Sequence, residues 1–182
     1  MRLKPIFLLL TIVLFLISII VVLHIRTVNQ ANKIFGNTTY FFDDGPVLHG
    51  RSAARLVDGA HEELYFNVYY ENKFVYGDFN HDGLRDAAVI LTENTGGNSD
   101  WFTLAFLIND GARLVHKASF LLDDRAVINS MREKNGKVFI DMYVHNPDDS
   151  RGGPTRRIKN LYPYVNRDGL PGDKITVPFN RT

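Results

Sequence analysis

The chain has 182 residues, a formal net charge of +1 and no cysteine, so we expect one domain without disulfides, thiolate catalysis or Cys-ligated zinc. The first 26 residues hold three basic residues and no acidic one. This leaves 18 of the 21 basic residues against all 20 acidic ones, a net charge of −2 that argues against nucleic acid as a partner.

An uncharged apolar run extends from Ile6 to Leu23, interrupted only by Thr11 and Ser18. As a helix it reaches roughly 27 Å, and continuing through Ile25 brings it to the hydrocarbon thickness of about 30 Å. A cleaved signal peptide, the competing interpretation, has an apolar core of about 7–15 residues and a small-x-small cleavage site. Residues 24–31 contain no such pair. We therefore predict a transmembrane signal-anchor helix over residues 6–25.

Basic residues on the two sides of this run predict its orientation. Arg2, Lys4 and the terminal amine precede the run, whereas Arg26 and Lys33 follow it. The positive-inside rule then places residues 1–5 in the cytoplasm. We predict a single pass through the inner (cytoplasmic) membrane, a juxtamembrane helix or linker over 26–38, and the following domain in the periplasm or the extracellular space.

From residue 39 to 165 the sequence is typical of β-structure. Short β-branched and aromatic runs alternate with Asp-Gly and Asn-Gly pairs that favour hairpin turns. These pairs are Asp44-Gly45, Asp58-Gly59, Asp110-Gly111, Asn135-Gly136 and Asp168-Gly169. The prediction is a mainly β fold, a single domain built as an antiparallel meander of hairpins, followed by an irregular tail over 166–182.

Two hairpins stand out in this pattern. One joins Phe102–Ile108 to Arg113–Leu121, and the other joins Ala126–Arg132 to Val138–Val144. In the second hairpin we expect Val127 and Met131 to share the buried face, because alternate residues of a strand point to the same side. Further strands are predicted at Glu63–Tyr70, Lys73–Tyr76, Ala87–Thr92 and Arg156–Tyr162.

The segment from Gly77 to Leu91 contains the strongest chemical motif, Asp-x-Asn-x-Asp-Gly-x-x-Asp. Oxygen-bearing side chains at alternate positions of a tight loop suit calcium, which takes six to eight hard oxygen ligands and tolerates irregular geometry. The predicted ligands are the side chains of Asp78, Asn80, Asp82 and Asp86 and the carbonyl of Leu84.

Other interpretations of this loop are open. Asp, Asn and Gly also favour turns that bind nothing, although three carboxylates so close together repel one another without a cation. Magnesium requires a stricter octahedron. An EF-hand needs a bidentate Glu at its twelfth position, where this chain has Val89. We predict a structural Ca²⁺ site.

The same loop is similar to the calcium loops of FG-GAP repeats and dockerins. A longer stretch, from Tyr76 to about Tyr162, resembles a group of uncharacterised bacterial envelope proteins and lipoproteins. Their shared features correspond here to Gly77–Val89, Asn94–Gly97, Asp124-Arg125 and Asp141–Asp148. The resemblance implies an envelope location and a shared architecture, and it implies no activity. Where relatives often have Cys-Cys-Pro-Thr, this chain has Gly152–Thr155, so no thiol role carries over.

A second polar set, Asp141, Tyr143 and His145, alternates along one predicted strand, and Arg125 is a candidate to join it. An Asp–His pair is suited to acid–base chemistry, whereas a cross-strand polar ladder is the alternative. Two hypotheses follow. The first is a non-catalytic, calcium-stabilised envelope domain that binds a protein or glycan partner. The second is a metal-assisted, hydrolase-like enzyme that uses Asp141 and His145.

Overall fold

The computed structural model describes residues 4–42, 52–94, 96–149 and 153–165. Within these ranges the chain forms one helix and ten strands. They are α1 (Lys4–Phe35), β1 (Thr39–Phe42), β2 (Ser52–Arg55), β3 (Ala60–Glu63), β4 (Phe66–Gly77), β5 (Asp86–Asn94), β6 (Trp101–Asn109), β7 (Leu114–Asp124), β8 (Val127–Glu133), β9 (Lys137–Val144) and β10 (Arg156–Pro163). The predicted mainly β fold after one helix is confirmed. The predicted tail over 166–182 and the Asp44-Gly45 and Asp168-Gly169 turns lie outside the described residues.

The strands form three antiparallel sheets. Strands β3 to β7 pair in chain order as a five-stranded meander, β1 pairs with β2, and a third sheet has the order β10-β9-β8. The predicted strand Glu63–Tyr70 is divided by the β3–β4 turn, and β4 contains its second part together with Lys73–Tyr76. The pairing of β4 with β5 shifts register between Tyr70 and Phe74. The strand thus continues through a bulge at residues 71–73, where the sequence pattern predicts a break.

Strand β5 lies at the centre of the domain and is buried on both faces. Ala87, Val89 and Leu91 belong to a core that also contains the end of α1 and strands β1 and β2. Ala88 and Ile90 belong to a second core, between the five-stranded and three-stranded sheets. This double burial explains why the strand is a continuous apolar run rather than an alternating one.

Both predicted hairpins are present, β6 with β7 and β8 with β9. The predicted inward position of Val127 is wrong, because this side chain is 50% exposed. Ile128 and Met131 pack against the second core instead. The β8–β9 register shifts between Ile128 and Ser130, and such a bulge moves the following side chains to the opposite face.

Helix α1 continues beyond the predicted span, and the segment 26–38 is helical as far as Phe35. Residues 7 to 27 are exposed along the whole helix surface, whereas Ala31 and Phe35 are 1% and 0% exposed. The stretch from Phe7 to Phe35 is long and apolar enough to cross a membrane, and none of its most apolar window is buried in the domain. A signal sequence would meet the same criteria of length and composition.

Candidate metal centre

The Asp-rich loop connects β4 to β5, as the sequence predicts. Its first acidic side chain, Asp78, reaches across the loop to the opposite backbone. The amide of Asp82 donates to Oδ1 of Asp78 at 3.1 Å, and the amide of Gly83 donates to Oδ2 at 3.1 Å. His81 and Gly83 have positive φ angles of 62° and 84°, which reverse the chain so that these amides point inward. Asp78 thus closes the loop.

Asp82 is exposed, and it contacts the half-buried Asn80. Asn80 donates from Nδ2 to Asp82 Oδ2 at 2.7 Å, and the amide of Leu84 donates to Asp82 Oδ1 at 2.7 Å. The hydrogen bond from Asn80 and that from the Leu84 amide hold the pKa of Asp82 below its usual value. The Leu84 side chain is itself 40% exposed. Both oxygens of Asp82 are thus oriented by neighbours while they stay accessible to solvent.

Asp86 differs from the other two carboxylates because it is completely buried. Its Oδ2 accepts hydrogen bonds from the amides of Phe79 at 2.8 Å and Asn80 at 3.4 Å, and its Oδ1 accepts from the amide of Asn109 at 2.9 Å. One carboxylate therefore ties the start of the loop to the end of β6. This role is structural whether or not a cation is bound.

The loop packs against both the five-stranded and the three-stranded sheet. Phe79 is 3% exposed and packs edge-to-face on Phe106 with ring centroids 5.2 Å apart. On the other side, a Cβ placed on Gly136 would lie 2.5 Å from Cε1 of His81. The β8–β9 turn therefore contacts the His81 side chain directly, and the positive φ of 68° at Gly136 favours glycine there.

The donors of the loop suit a hard cation, since they are carboxylate and amide oxygens. In the described ranges, none of the three carboxylates forms a salt bridge with a basic side chain. The same part of the chain has no group of three or more His, Asp or Glu side chains placed to hold a metal ion. Asp78, Asn80 and Asp82 therefore supply oxygens of the right type, and these oxygens accept hydrogen bonds from within the loop.

The two residues of the alternative site, Asp141 and His145, contact different side chains. Asp141 is 7% exposed and receives two hydrogen bonds from Arg157, from Nε to Oδ1 at 2.8 Å and from Nη2 to Oδ2 at 2.7 Å. This bidentate pair lowers the pKa of Asp141 to about 2. A carboxylate held in its ionised form in this way does not favour proton transfer near neutral pH.

His145 instead lies beside Asp123 of β7. Its backbone amide donates to Asp123 Oδ2 at 2.6 Å, and its Nδ1 lies 3.6 Å from the same oxygen, beyond hydrogen-bond range. Both ring nitrogens are buried without a hydrogen-bond partner among the described residues. The geometry thus couples His145 to Asp123, a residue that the sequence pattern did not indicate.

The Asn94–Gly97 and Asp124-Arg125 features are brought together at the opposite end of β5 from the Asp-rich loop. Asn94 donates to Asp100 Oδ1 at 2.7 Å, and the Asp100 amide donates to Asp124 Oδ1 at 3.0 Å. Arg125 forms a salt bridge with Asp124 at 2.8 Å. These contacts hold the 96–100 loop against the end of β7, which is a structural role.

Glu93 is a buried acid that sequence analysis missed. It is 2% exposed and accepts a hydrogen bond from the Thr103 hydroxyl at 2.6 Å. Burial raises the pKa of Glu93 to about 7, and the Thr103 hydrogen bond opposes part of this rise. The available signal is its position two residues after the apolar run Ala87–Leu91, in a strand that is buried on both faces.

This raised pKa predicts a pH-dependent stability. The folded-state pKa of about 7 lies above the ordinary value of 4.5, so protonated Glu93 contributes stability fully below about pH 4.5 and loses it as the pH rises to about 7. We expect its contribution to the free energy of unfolding to fall by about 2 kcal/mol between about pH 5 and about pH 8. Glu93→Gln should remove this decline, measured by urea unfolding across that range.

Glu62→Gln is the matched control, since Glu62 is an exposed acid on strand β3 of the same sheet. This variant should keep the decline of the parent chain. An unchanged pH profile in Glu93→Gln would contradict the prediction.

No family model, curated protein or solved structure that was compared with this chain matches it. The functional proposal therefore rests on the helix, the loop and the sequence resemblance described above.

Proposed function

We propose that this chain is a non-catalytic, membrane-anchored domain of the bacterial envelope that binds Ca²⁺ in its 78–86 loop and holds an envelope protein or glycan near the membrane. The proposed location is the inner membrane, crossed once, with the β domain in the periplasm or the extracellular space. The observation that carries the proposal is helix α1, whose apolar surface from Phe7 to Ile25 contacts no part of the described domain. An apolar surface of this length is stable only in a membrane or against a partner.

The loop supports the calcium part of the proposal. Asp78, Asn80 and Asp82 offer hard oxygens, and the carboxylates of the loop have no basic side chain paired with them in the described residues. A divalent cation would offset that charge. The envelope location comes from the resemblance of residues 76–162 to envelope proteins. It also agrees with the higher free calcium outside the cytosol.

The non-catalytic part is supported by the second polar set. Asp141 is engaged by Arg157, and His145 lies beside Asp123. The two side chains that the enzyme hypothesis needs thus have separate partners. Within the described residues, the geometry of Asp141 and His145 does not favour a hydrolase over a binding domain.

Membrane fractionation together with sequencing of the mature amino terminus tests the anchor. We expect the full-length chain, beginning at Met1, to stay with membranes after washing at alkaline pH. Protease added to spheroplasts should degrade the β domain and spare residues 1–5. A mature chain that begins near residue 30 and leaves the membrane would overturn the anchor.

Calcium binding is expected to raise the thermal stability of the domain. At a free calcium concentration of about 100 times Kd the stabilisation is ~2.7 kcal/mol, so the melting temperature should rise with calcium and fall with a chelator. Asp82→Asn should weaken this response, because it removes an exposed carboxylate without deleting a buried group. Melting followed by circular dichroism, in calcium, magnesium and chelator, gives the measurement.

Asp110→Asn is the matched control for Asp82→Asn. Asp110 is also an exposed turn carboxylate whose pKa is lowered by backbone amides, but it lies outside the loop. It should respond to calcium as the parent chain does. A parent chain whose melting is the same in calcium and in chelator would refute the site.

A further inference from the structure

The distance between the membrane-spanning part of α1 and the domain is short. The apolar run ends at Ile25, and the first buried residue of the helix is Ala31. Six helical residues span about 9 Å. The headgroup layer on one side of a bilayer is roughly 5–8 Å thick, from the difference between total and hydrocarbon thickness. The domain therefore begins where the headgroups end.

The last turn of α1 is built into the domain rather than joined to it by a linker. Phe35 is fully buried and its ring lies 5.9, 5.3 and 5.9 Å from those of Tyr70, Phe74 and Tyr76, respectively. One turn earlier, Asn32 Oδ1 accepts a hydrogen bond from the Tyr70 hydroxyl at 2.9 Å. Two successive turns of the helix are thus fixed to strand β4.

Backbone contacts complete the attachment. The amide of Gly59 donates to the carbonyl of Gly36 at 2.8 Å, and the amide of Asp58 donates to Asn37 Oδ1 at 3.3 Å. A Cβ placed on Gly36 would lie 2.9 Å from the nitrogen of Gly59. The end of the helix therefore packs backbone against backbone on the β2–β3 turn, and a side chain at position 36 would force them apart.

From this spacing and attachment we propose that α1 and the β domain form one rigid body, which holds the domain against the phospholipid headgroups in a single orientation. The surface of the domain where α1 enters it then lies on the bilayer. Arg26 lies exposed on the helix within the short interval, where a guanidinium meets lipid phosphates. This inference rests on the membrane anchorage proposed above.

The absence of cysteine allows a direct test by double electron–electron resonance. Spin labels at Val22→Cys and Leu64→Cys, which are 48% and 82% exposed in the parent chain, report the distance from the helix to the β3–β4 turn. In nanodiscs of phosphatidylglycerol and phosphatidylcholine we expect one narrow distance distribution. A flexible Gly-Ser insertion of about six residues between Gln30 and Ala31 should broaden it severalfold.

A second label tests the contact with lipid. Relaxation of a label at Lys33→Cys, an exposed helix position, should be enhanced strongly by nickel-chelating headgroups in the parent chain and several times less in the insertion variant. Circular dichroism checks that both proteins are folded.

The outcomes separate the two proposals. If the chain does not float with liposomes, the membrane anchorage of the proposed function is wrong. If it floats but gives a distribution as broad as that of the insertion variant, or equal nickel enhancement, only the rigid docking is overturned.

Discussion

Replacing Asp86 by alanine should lower the free energy of unfolding by about 4 kcal/mol. Asp86 is fully buried and accepts hydrogen bonds from the amides of Phe79, Asn80 and Asn109. The substitution would leave these donors without their acceptor, and each buried unsatisfied group costs about 1–3 kcal/mol. Urea unfolding of the full chain in detergent micelles, followed by circular dichroism, measures the loss.

Two comparisons make this prediction specific to the hydrogen bonds. Asp86→Asn keeps one acceptor oxygen, so we expect it to lose roughly half as much stability. Asp82→Ala removes an exposed carboxylate from the same loop and should have a much smaller effect in chelator. A loss in Asp86→Ala no greater than that in Asp82→Ala would show that the buried carboxylate does not hold the loop.

Phe35→Ala is expected to lower the free energy of unfolding by about 4 kcal/mol, although Phe35 belongs to the apolar helix α1. Its ring is completely buried among three aromatic rings of strand β4, and removal of such a ring typically costs 3–5 kcal/mol because a cavity is left behind. The effect should appear in the thermal melt of the β domain, followed in the full chain in micelles.

Phe41→Ala is the matched control, because Phe41 is on β1 and 43% exposed. The same chemical change at this site should cost less than about 1 kcal/mol. Equal losses in the two variants would mean that the end of α1 is not part of the core. Helix α1 would then be only an attached anchor.

Much of the fold is predictable from local pattern. The apolar run from Ile6 to Leu23 predicts a helix because its length matches a bilayer. The Asn109-Asp110-Gly111 and Asn135-Gly136 turns predict the β6–β7 and β8–β9 hairpins, because these residues adopt the backbone angles that such turns require. Asn135 and Gly136 do have positive φ angles, of 54° and 68°.

The errors come from features that are not local. Strict alternation predicts an inward Val127, whereas the bulge between Ile128 and Ser130 changes which residues face the core. The polar composition of 26–38 predicts either a helix or a linker, and the structure is helical as far as Phe35. Burial of Ala31 and Phe35 against a sheet that forms far along the chain decides its actual role.

For the candidate site, the sequence by itself determined the oxygen-rich loop, its place between two strands and the apolar length of the anchor, since these depend on residue type and spacing. Only the tertiary structure decided that Asp86 is buried, that Arg157 pairs with Asp141, and that His145 lies beside Asp123. It also decided that α1 ends inside the core. The physical reason is that hydrogen bonds and packing between distant strands depend on sheet register, which the local pattern does not specify.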